Sequence, residues 1–380
     1  MLASPGNVRA IAAHLRGGGL IAYATRGAFG LGCLPFHRRA LRRLVRLKRR
    51  PERKGLIVVA DRQARLRRLM RPLTPALAAL IGHPDDPIGR QFVPNPGELV
   101  TAAHELADPV ADEALSPLPG IVHRYADRAL LKPLLACPVY CRFCFRREQV
   151  GPEGGLLSQA ELNAAYAWLA ARPAIREVIL TGGDPLMLSP RRLSAIVAAL
   201  SAIPHIDILR VHTRVPVADP SLVTPALAAA LRTDKAMFVV LHTNHARELT
   251  PDARAALRRI QAESIPVLGQ SVLLRGVNDS VAALEDLFRA QLRARVKPYY
   301  LHQLDAAPGT ARFHVPIAEG QALLRALRGR VTGLAWPTYV LDIPGGAGKV
   351  PLNPGYLDAD DHVRDPQGHR HKLADPQASV

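Results

Sequence analysis

The sequence predicts an α/β fold: an incomplete (β/α)6 barrel, preceded by a helical and extended arm and by an extra basic α/β fragment. Three observations predict it. From about residue 121, short β-rich runs alternate with Ala/Leu/Arg-rich stretches of helical period. The runs end at Thr181, His212, His242, Ser271 and His302, about 30 residues apart, which is the length of one β/α unit of a parallel sheet. The charge is also divided. Residues 1–71 hold 18 Lys and Arg against Glu52 and Asp61, a net of +16, and the other 32 basic and 30 acidic residues leave only +2.

Taken in order, residues 1–70 form the basic fragment. Its arginines suit either a solvated helix face or phosphate contacts to nucleic acid, and the solvated face is the simpler reading. Residues 71–120 are rich in Pro and Asp (Pro84 to Pro87, then Pro94 to Pro96) and read as a helix followed by an extended arm. Residues 121–356 carry the barrel. Its strands are expected at Ala129–Ala136, Glu177–Thr181, Asp207–His212, Met237–His242, Pro266–Ser271 and Lys297–His302. Helices are expected at Ser158–Ala171, Arg191–Ala202, Pro225–Arg232, Pro251–Glu263 and Val281–Arg293. Six units leave a barrel open, since eight close one. Residues 357–380 are polar and without period, as in a loose tail.

Nearly half of the chain is apolar, enough for a large core, yet no run of about 18 uncharged apolar residues offers a membrane span. The N-terminus lacks the layout of a signal peptide, so a cytoplasmic protein is expected. The four cysteines are Cys33, Cys137, Cys141 and Cys144, three of them within eight residues. That clustering points to metal ligation and away from a disulfide framework.

The cluster reads Cys137-Pro-Val-Tyr-Cys141-Arg-Phe-Cys144, on the loop after the first expected barrel strand. Three thiolates at this spacing can hold three irons of a [4Fe–4S] cluster and leave the fourth open. A structural zinc site wants a closed set of four ligands, and the fourth would have to be the distant Cys33. One β/α unit later, Thr181-Gly182-Gly183-Asp184 forms a strand-end turn whose glycines admit close backbone approach. A third run, Asp342-Ile-Pro-Gly345-Gly346-Ala-Gly348-Lys349, is not a phosphate-binding P-loop. Ile343 stands where the first glycine belongs, and Val350 replaces the Ser/Thr. A lysine on such a loop can instead form a Schiff base with an aldehyde cofactor.

The first two motifs resemble the radical S-adenosylmethionine (radical SAM) superfamily. The third resembles the pyridoxal phosphate loop of the lysine 2,3-aminomutase family. The resemblance runs from about Leu73 to Tyr356 through Asp85-Asp86-Pro87-Ile88-Gly89-Arg90-Gln91, Gly120-Ile121-Val122-His123-Arg124-Tyr125, His212-Thr213-Arg214-Val215-Pro216 and Gln270-Ser271-Val272-Leu273-Leu274. It implies a 1,2-amino shift on lysine, begun by a 5′-deoxyadenosyl radical and giving β-lysine, free or destined for elongation factor P. It assigns Cys137, Cys141 and Cys144 to the [4Fe–4S] cluster. Gly182, Gly183, Asp184, Arg214 and Gln270 go to S-adenosylmethionine. Lys349, Arg124, Tyr125 and Arg128 go to pyridoxal phosphate, with Lys349 also the catalytic residue. Arg146 would take the substrate carboxylate, and Asp305 and Asp342 its distal ammonium. An external electron donor such as flavodoxin or ferredoxin is implied, as is a tendency to form homo-oligomers. Two other readings fit parts of the sequence: a radical SAM enzyme acting on another amino acid or lacking pyridoxal phosphate, and a non-catalytic RNA-binding metalloprotein.

The front of the chain departs from that family. Leu15 to Tyr23, Gly30 to Cys33 and Lys48 to Ile57 resemble the start of a YrdC/Sua5-type threonylcarbamoyl-AMP synthase, an enzyme type of tRNA modification. Ala24-Thr25-Arg26 stands where that family has Pro-Thr-Glu. The fragment is expected to be inactive.

Overall fold

The computed structural model describes residues 5–17, 19–25, 28–33, 38–48, 73–95, 98, 101–147, 149–150, 155–357 and 362–372. Expectations for Arg26, residues 49–72 and residues 373–380 fall outside these. Internal contacts divide the chain into two units, Met1–Pro72 and Leu73–Val380.

The first unit contains helix α1 (Pro5–Arg16), an antiparallel hairpin of β1 (Ile21–Thr25) and β2 (Ala28–Gly32), and helix α2 (Arg38–Leu47). Helical spacing puts Arg39, Arg42, Arg43 and Arg46 on one side of α2, while Ala40 and Leu44 are buried on the other.

The second unit is built on one nine-stranded sheet in which every strand pairs with its neighbour in the chain. It begins with β3 (Ile121–Tyr125), antiparallel to β4 (Arg128–Leu134). From β4 the sheet runs parallel through β5 (Glu177–Gly182), β6 (Ile208–Thr213), β7 (Ala236–His242), β8 (Val267–Val272) and β9 (Val296–His302). These six match the expected strands closely. A seventh parallel strand, β10 (Thr338–Ile343), follows β9, and β11 (Gly348–Pro351) folds back antiparallel to it. The result is a nearly closed partial barrel, one parallel strand larger than expected.

The main helices are α3 (Gln159–Ala170), α4 (Pro190–Ser201), α5 (Pro251–Gln261), α6 (Val281–Arg293) and α7 (Ile317–Leu327). Ser158, Ser189, Thr250 and Ser280 start the first four, each side chain accepting a backbone N–H three residues on. Ser158 and Glu161 complete a capping box. The expected helix Pro225–Arg232 is shorter, Pro225–Ala229.

Strand alternation then sorts the residues by face. Val178, Leu180, Leu209, Val211, Val239 and Leu241 pack outward against the helices in one core. Arg210, His212, His242 and Gln270 occupy the alternate positions, on the inner face. The polar residues therefore gather inside the barrel, at the ends where the parallel strands finish.

The arm is mostly irregular, with short helices at Pro75–Ala78 and Gly89–Phe92. Three acids tie it to the barrel. Glu98 forms ion pairs with Arg142, Arg147 and Arg312. Glu105 accepts backbone N–H groups of Gly309 and Ala311 at 3.1 and 3.0 Å. Asp112 pairs with Arg146 and Lys132. The expected polar tail contains a small hairpin, β12 (His362–Arg364) with β13 (Arg370–Lys372). Among the described residues no helix is long and apolar enough to cross a membrane.

Candidate active site

β4 delivers the chain to the cysteine loop, where a turn closes from Cys144 N to Cys141 O at 3.2 Å. None of the four cysteines is in a disulfide. Burial pushes the Cys141 thiol up to about 11, with the Arg214 charge working against it. Burial also raises the Cys144 thiol, opposed by the Arg146 backbone N–H and by the charges of Arg146 and Arg147. Among the described residues no group of three His, Cys, Asp or Glu already stands in metal-holding geometry. The donor chemistry still fits an iron–sulfur cluster: three soft ligands on one loop, ringed by cations that favour thiolate.

The Gly182-Gly183 turn packs directly against this loop. Gly182 has φ +104°, and a Cβ there would lie 2.8 Å from both Leu134 O and Lys132 Cβ. A Cβ on Gly183 would lie 2.2 Å from Ala136 O. Any side chain would push the turn off the strand that carries the cysteines. Asp184 is buried and its carboxylate is spent on the next loop. It accepts from Thr213 Oγ1 at 2.8 Å and from the backbone N–H groups of Arg214 (2.7 Å), Val215 and Leu186 (both 3.1 Å). Its carboxylate thus fixes the Arg214 loop.

Arg214 lies in a buried network that the sequence did not reveal. Its Nη2 donates to Glu248 at 2.6 Å and to Gln91 at 2.8 Å, and its guanidinium covers the rings of Phe92 and Phe143. Gln91 comes from the arm, so the arm helps to aim Arg214 at the cysteine loop. Gln270 is half-buried on the inner face of β8.

The lysine motif is a hairpin and not the loop its glycines suggest. Asp342 on β10 and Lys349 on β11 are register partners. Lys349 Nζ donates to Asp342 Oδ2 at 2.6 Å, and Arg124 Nη1 donates to Asp342 Oδ1 at 2.9 Å. Burial acts to raise the Asp342 carboxyl, but Lys349, His302 and Arg124 together hold it below its ordinary value. The Tyr125 hydroxyl accepts the Lys349 backbone N–H at 2.8 Å, and the Arg128 guanidinium lies 3.8 Å from the centre of the Tyr125 ring. Arg128 also donates to Asp127 at 2.6 Å, and Arg124 to Val110 O at 2.7 Å. The structure thus brings Arg124, Tyr125, Arg128, Asp342 and Lys349 into one neighbourhood. That donor set fits an anionic aldehyde cofactor: an amine for the aldehyde, with the Arg124 guanidinium on the same carboxylate and the Arg128 guanidinium on the adjoining Tyr125 ring for a phosphate.

Asp305, on the loop after β9, is half-buried and makes no side-chain hydrogen bond or ion pair among the described residues. Burial, reinforced by the Asp342 charge, pushes its carboxyl up to about 7. Arg146 donates Nε to Asp112 Oδ2 at 2.7 Å. The inner wall also holds three histidines that sequence reasoning left without a role. His212 Nδ1 and His242 Nε2 are 3.1 Å apart, and His302 Nδ1 lies 3.8 Å from Asp342. Burial drives all three down, His242 and His302 to about 3. Their regular recurrence at strand ends was the available signal.

Comparison with known proteins gives three family matches: "Radical SAM superfamily" over residues 131–288, "Lysine-2,3-aminomutase" over 324–364, and "Telomere recombination" (Sua5/YciO/YrdC) over 13–114. The L-lysine 2,3-aminomutase of Acetoanaerobium sticklandii is 37% identical over 292 residues, covering 76% of this chain and 70% of that protein. The Escherichia coli L-lysine 2,3-aminomutase is 38% identical over 273 residues, covering 72% and 79%. A radical SAM methyltransferase structure from Sphaerobacter thermophilus overlays with a TM-score of 0.41 at 22% identity, over 58% of this chain and 68% of its own.

Proposed function

Because this chain belongs to the L-lysine 2,3-aminomutase family, we propose that it moves the α-amino group of lysine to the neighbouring carbon, giving β-lysine, with a [4Fe–4S] cluster, S-adenosylmethionine and pyridoxal phosphate as cofactors. Cys137, Cys141 and Cys144 would hold the cluster. Gly182, Gly183, Arg214 and Gln270 would hold S-adenosylmethionine, with Asp184 fixing the Arg214 loop. Lys349, Arg124, Tyr125 and Arg128 would hold pyridoxal phosphate. Together these groups supply a carbon radical for hydrogen abstraction and a conjugated system that spreads the unpaired electron.

The protein's own task is to bind a small zwitterion with a second positive charge, to align it and to keep water away. The observation that carries the lysine reading is Asp305. A carboxylate held in a desolvated position without a partner is costly unless a cation joins it. Its neighbour Asp342 already holds one ammonium, that of Lys349. Once Lys349 is engaged with a cofactor, Asp342 and Asp305 together offer two negative charges to a distal ammonium. Arg146 would take the carboxylate at the other end. The three histidines, kept neutral by burial, line the inner wall without adding charge beside the reacting carbons.

The test is product formation. Protein reconstituted without oxygen with iron, sulfide and pyridoxal phosphate, then reduced, is given S-adenosylmethionine and isotope-labelled lysine. β-Lysine detected by mass spectrometry supports the reading. Cleavage of S-adenosylmethionine with no β-lysine, but with product from an anionic or neutral amino acid, would sink it.

A further inference from the structure

Lys132 has so far served only to pair with Asp112 of the arm, yet it is built into the site. It lies on β4 between the core residue Leu131 and the buried Pro133, with its side chain only 12% exposed. Its stem fills the space that Gly182 leaves: a Cβ there would meet Lys132 Cβ at 2.8 Å and Cγ at 3.1 Å. The Nζ stands 3.7 Å from Asp112 Oδ2, long for a charge-assisted hydrogen bond, and the Asp108 carboxylate acts on it from further off. Asp112 is 1% exposed, already accepts from Arg146 at 2.7 Å, and has its other oxygen, Oδ1, buried without a partner. One carboxylate therefore carries two cations, and the trio has a net charge of +1. A buried ammonium with three donors and one long ion pair is poorly satisfied. Neutralising Asp112 does not require it, because Arg146 suffices. Leucine or methionine would fill the same volume without the desolvation cost. Arg146, in turn, spends only Nε on Asp112, so its two terminal nitrogens remain without a protein partner among the described residues. Asp108 and Asp305 act on these cations from further away, but neither takes their free N–H donors among the described residues, so the unused donors of two side chains on one anchor suit an anion.

We propose that Lys132 is a second cation for the carboxylate of the amino-acid substrate, standing beside Arg146, with Asp112 as the positioning residue that holds both. The inference rests on the aminomutase reading for the identity of the substrate, but not for its chemistry, since every α-amino acid carries this carboxylate. Arg146 is close enough to Asp305 for its charge to act on that carboxyl. The two ends of one small zwitterion would therefore be read by this cationic trio and by the Asp305–Asp342 pair. The carboxylate of S-adenosylmethionine is the competing source of the same chemistry, because Lys132 also touches the Gly182 turn.

The experiment uses the full-length chain reconstituted with cluster and pyridoxal phosphate, without oxygen. Amino acids and their carboxamides, L-lysine with L-lysinamide first, are titrated while the visible absorbance of the bound pyridoxal group is followed. S-adenosylmethionine affinity is measured separately by equilibrium dialysis. Wild type should prefer each acid to its amide. Lys132→Met should weaken acid binding by about ten- to a hundredfold, the size of one charge-assisted hydrogen bond. It should leave amide binding and S-adenosylmethionine affinity unchanged, and Lys132→Arg should recover most of the loss. Lys132→Gln serves as the second variant should the methionine form fail to fold. Unaltered acid binding in Lys132→Met overturns the proposal, as does a loss confined to S-adenosylmethionine. If wild type ignores lysine but discriminates another acid from its amide, and Lys132→Met erases that preference, the lysine reading falls and the role of Lys132 stands. If wild type separates no acid from its amide, the role of Lys132 falls.

Discussion

Replacing Asp305 with Asn should make the substrate-free protein more stable while destroying its use of lysine. The folded protein raises this carboxyl from 3.8 to about 7, so ionisation is harder in the fold than in the unfolded chain. For a raised value the sign is fixed. The relative stability is present in acid, declines as the pH climbs above about 4, and is fully lost once the pH passes about 7. A rise from 3.8 to about 7, at 1.36 kcal/mol per pH unit, sets an upper limit of about 4 kcal/mol at pH 8. At pH 5 the same relation leaves about 1.7 kcal/mol. Asparagine keeps the shape and removes the charge, so it should recover this difference. The assay is denaturant unfolding of both proteins at pH 5 and pH 8, without lysine or cofactors, with β-lysine formation measured separately. The variant should gain at both pH values and more at pH 8, while turnover falls. A variant no more stable at pH 8, or a gap that does not widen with pH, would refute the claim that Asp305 is a desolvated acid awaiting a cation.

Other consequences can be checked alongside. Lys349→Ala should lose the visible band of lysine-bound pyridoxal phosphate and all amino transfer, yet retain iron on chemical analysis, because the cysteine loop lies on another strand. Glu98→Gln strands three arginines around the cysteine loop, so it should cost about 3–5 kcal/mol in unfolding experiments and lower the iron bound per chain. A chain beginning at Leu73 should stay soluble and active, whereas one beginning after residue 114 should not. The "Telomere recombination" match extends to residue 114, but Glu98, Glu105 and Asp112 are all bound to barrel partners.

Which parts of this molecule could be read from its sequence depends on where each residue finds its partners. The parallel strands were legible because each carries alternating residues that must face helices, and four of the five main helices announce their start with a local cap such as Ser158 or Thr250. The cysteines, the glycine pair and Lys349 stood out in the sequence because their residue types recur at short spacings. β10 and β11 were not, because four residues of turn between Ile343 and Gly348 dominate the run and hide two short strands. That matters for chemistry: as a hairpin, the motif pairs Asp342 with Lys349 across the ladder and fixes their distance, which a loose loop would not do.

The arm was the least legible part, and the reason is physical. Its acids have no period, and beyond the local turns that Asp86, Glu98, Glu105 and Asp108 close, their ion-pair partners lie from 20 to more than two hundred residues away, from Lys132 and Arg146 to Arg312. Nothing local distinguishes Glu98 or Asp112 from a solvated loop acid. Lys132 is hidden in the same way, since a single lysine in a strand usually faces water. Once the arm is folded over the barrel the two puzzles answer each other. The arm brings a carboxylate to a place where β4 has put an ammonium and the cysteine loop has put a guanidinium. A purely structural latch would need only one of those cations. On the role proposed for Lys132, the second cation would turn a fastening into a binding site and tie the arm to substrate recognition as well as to stability.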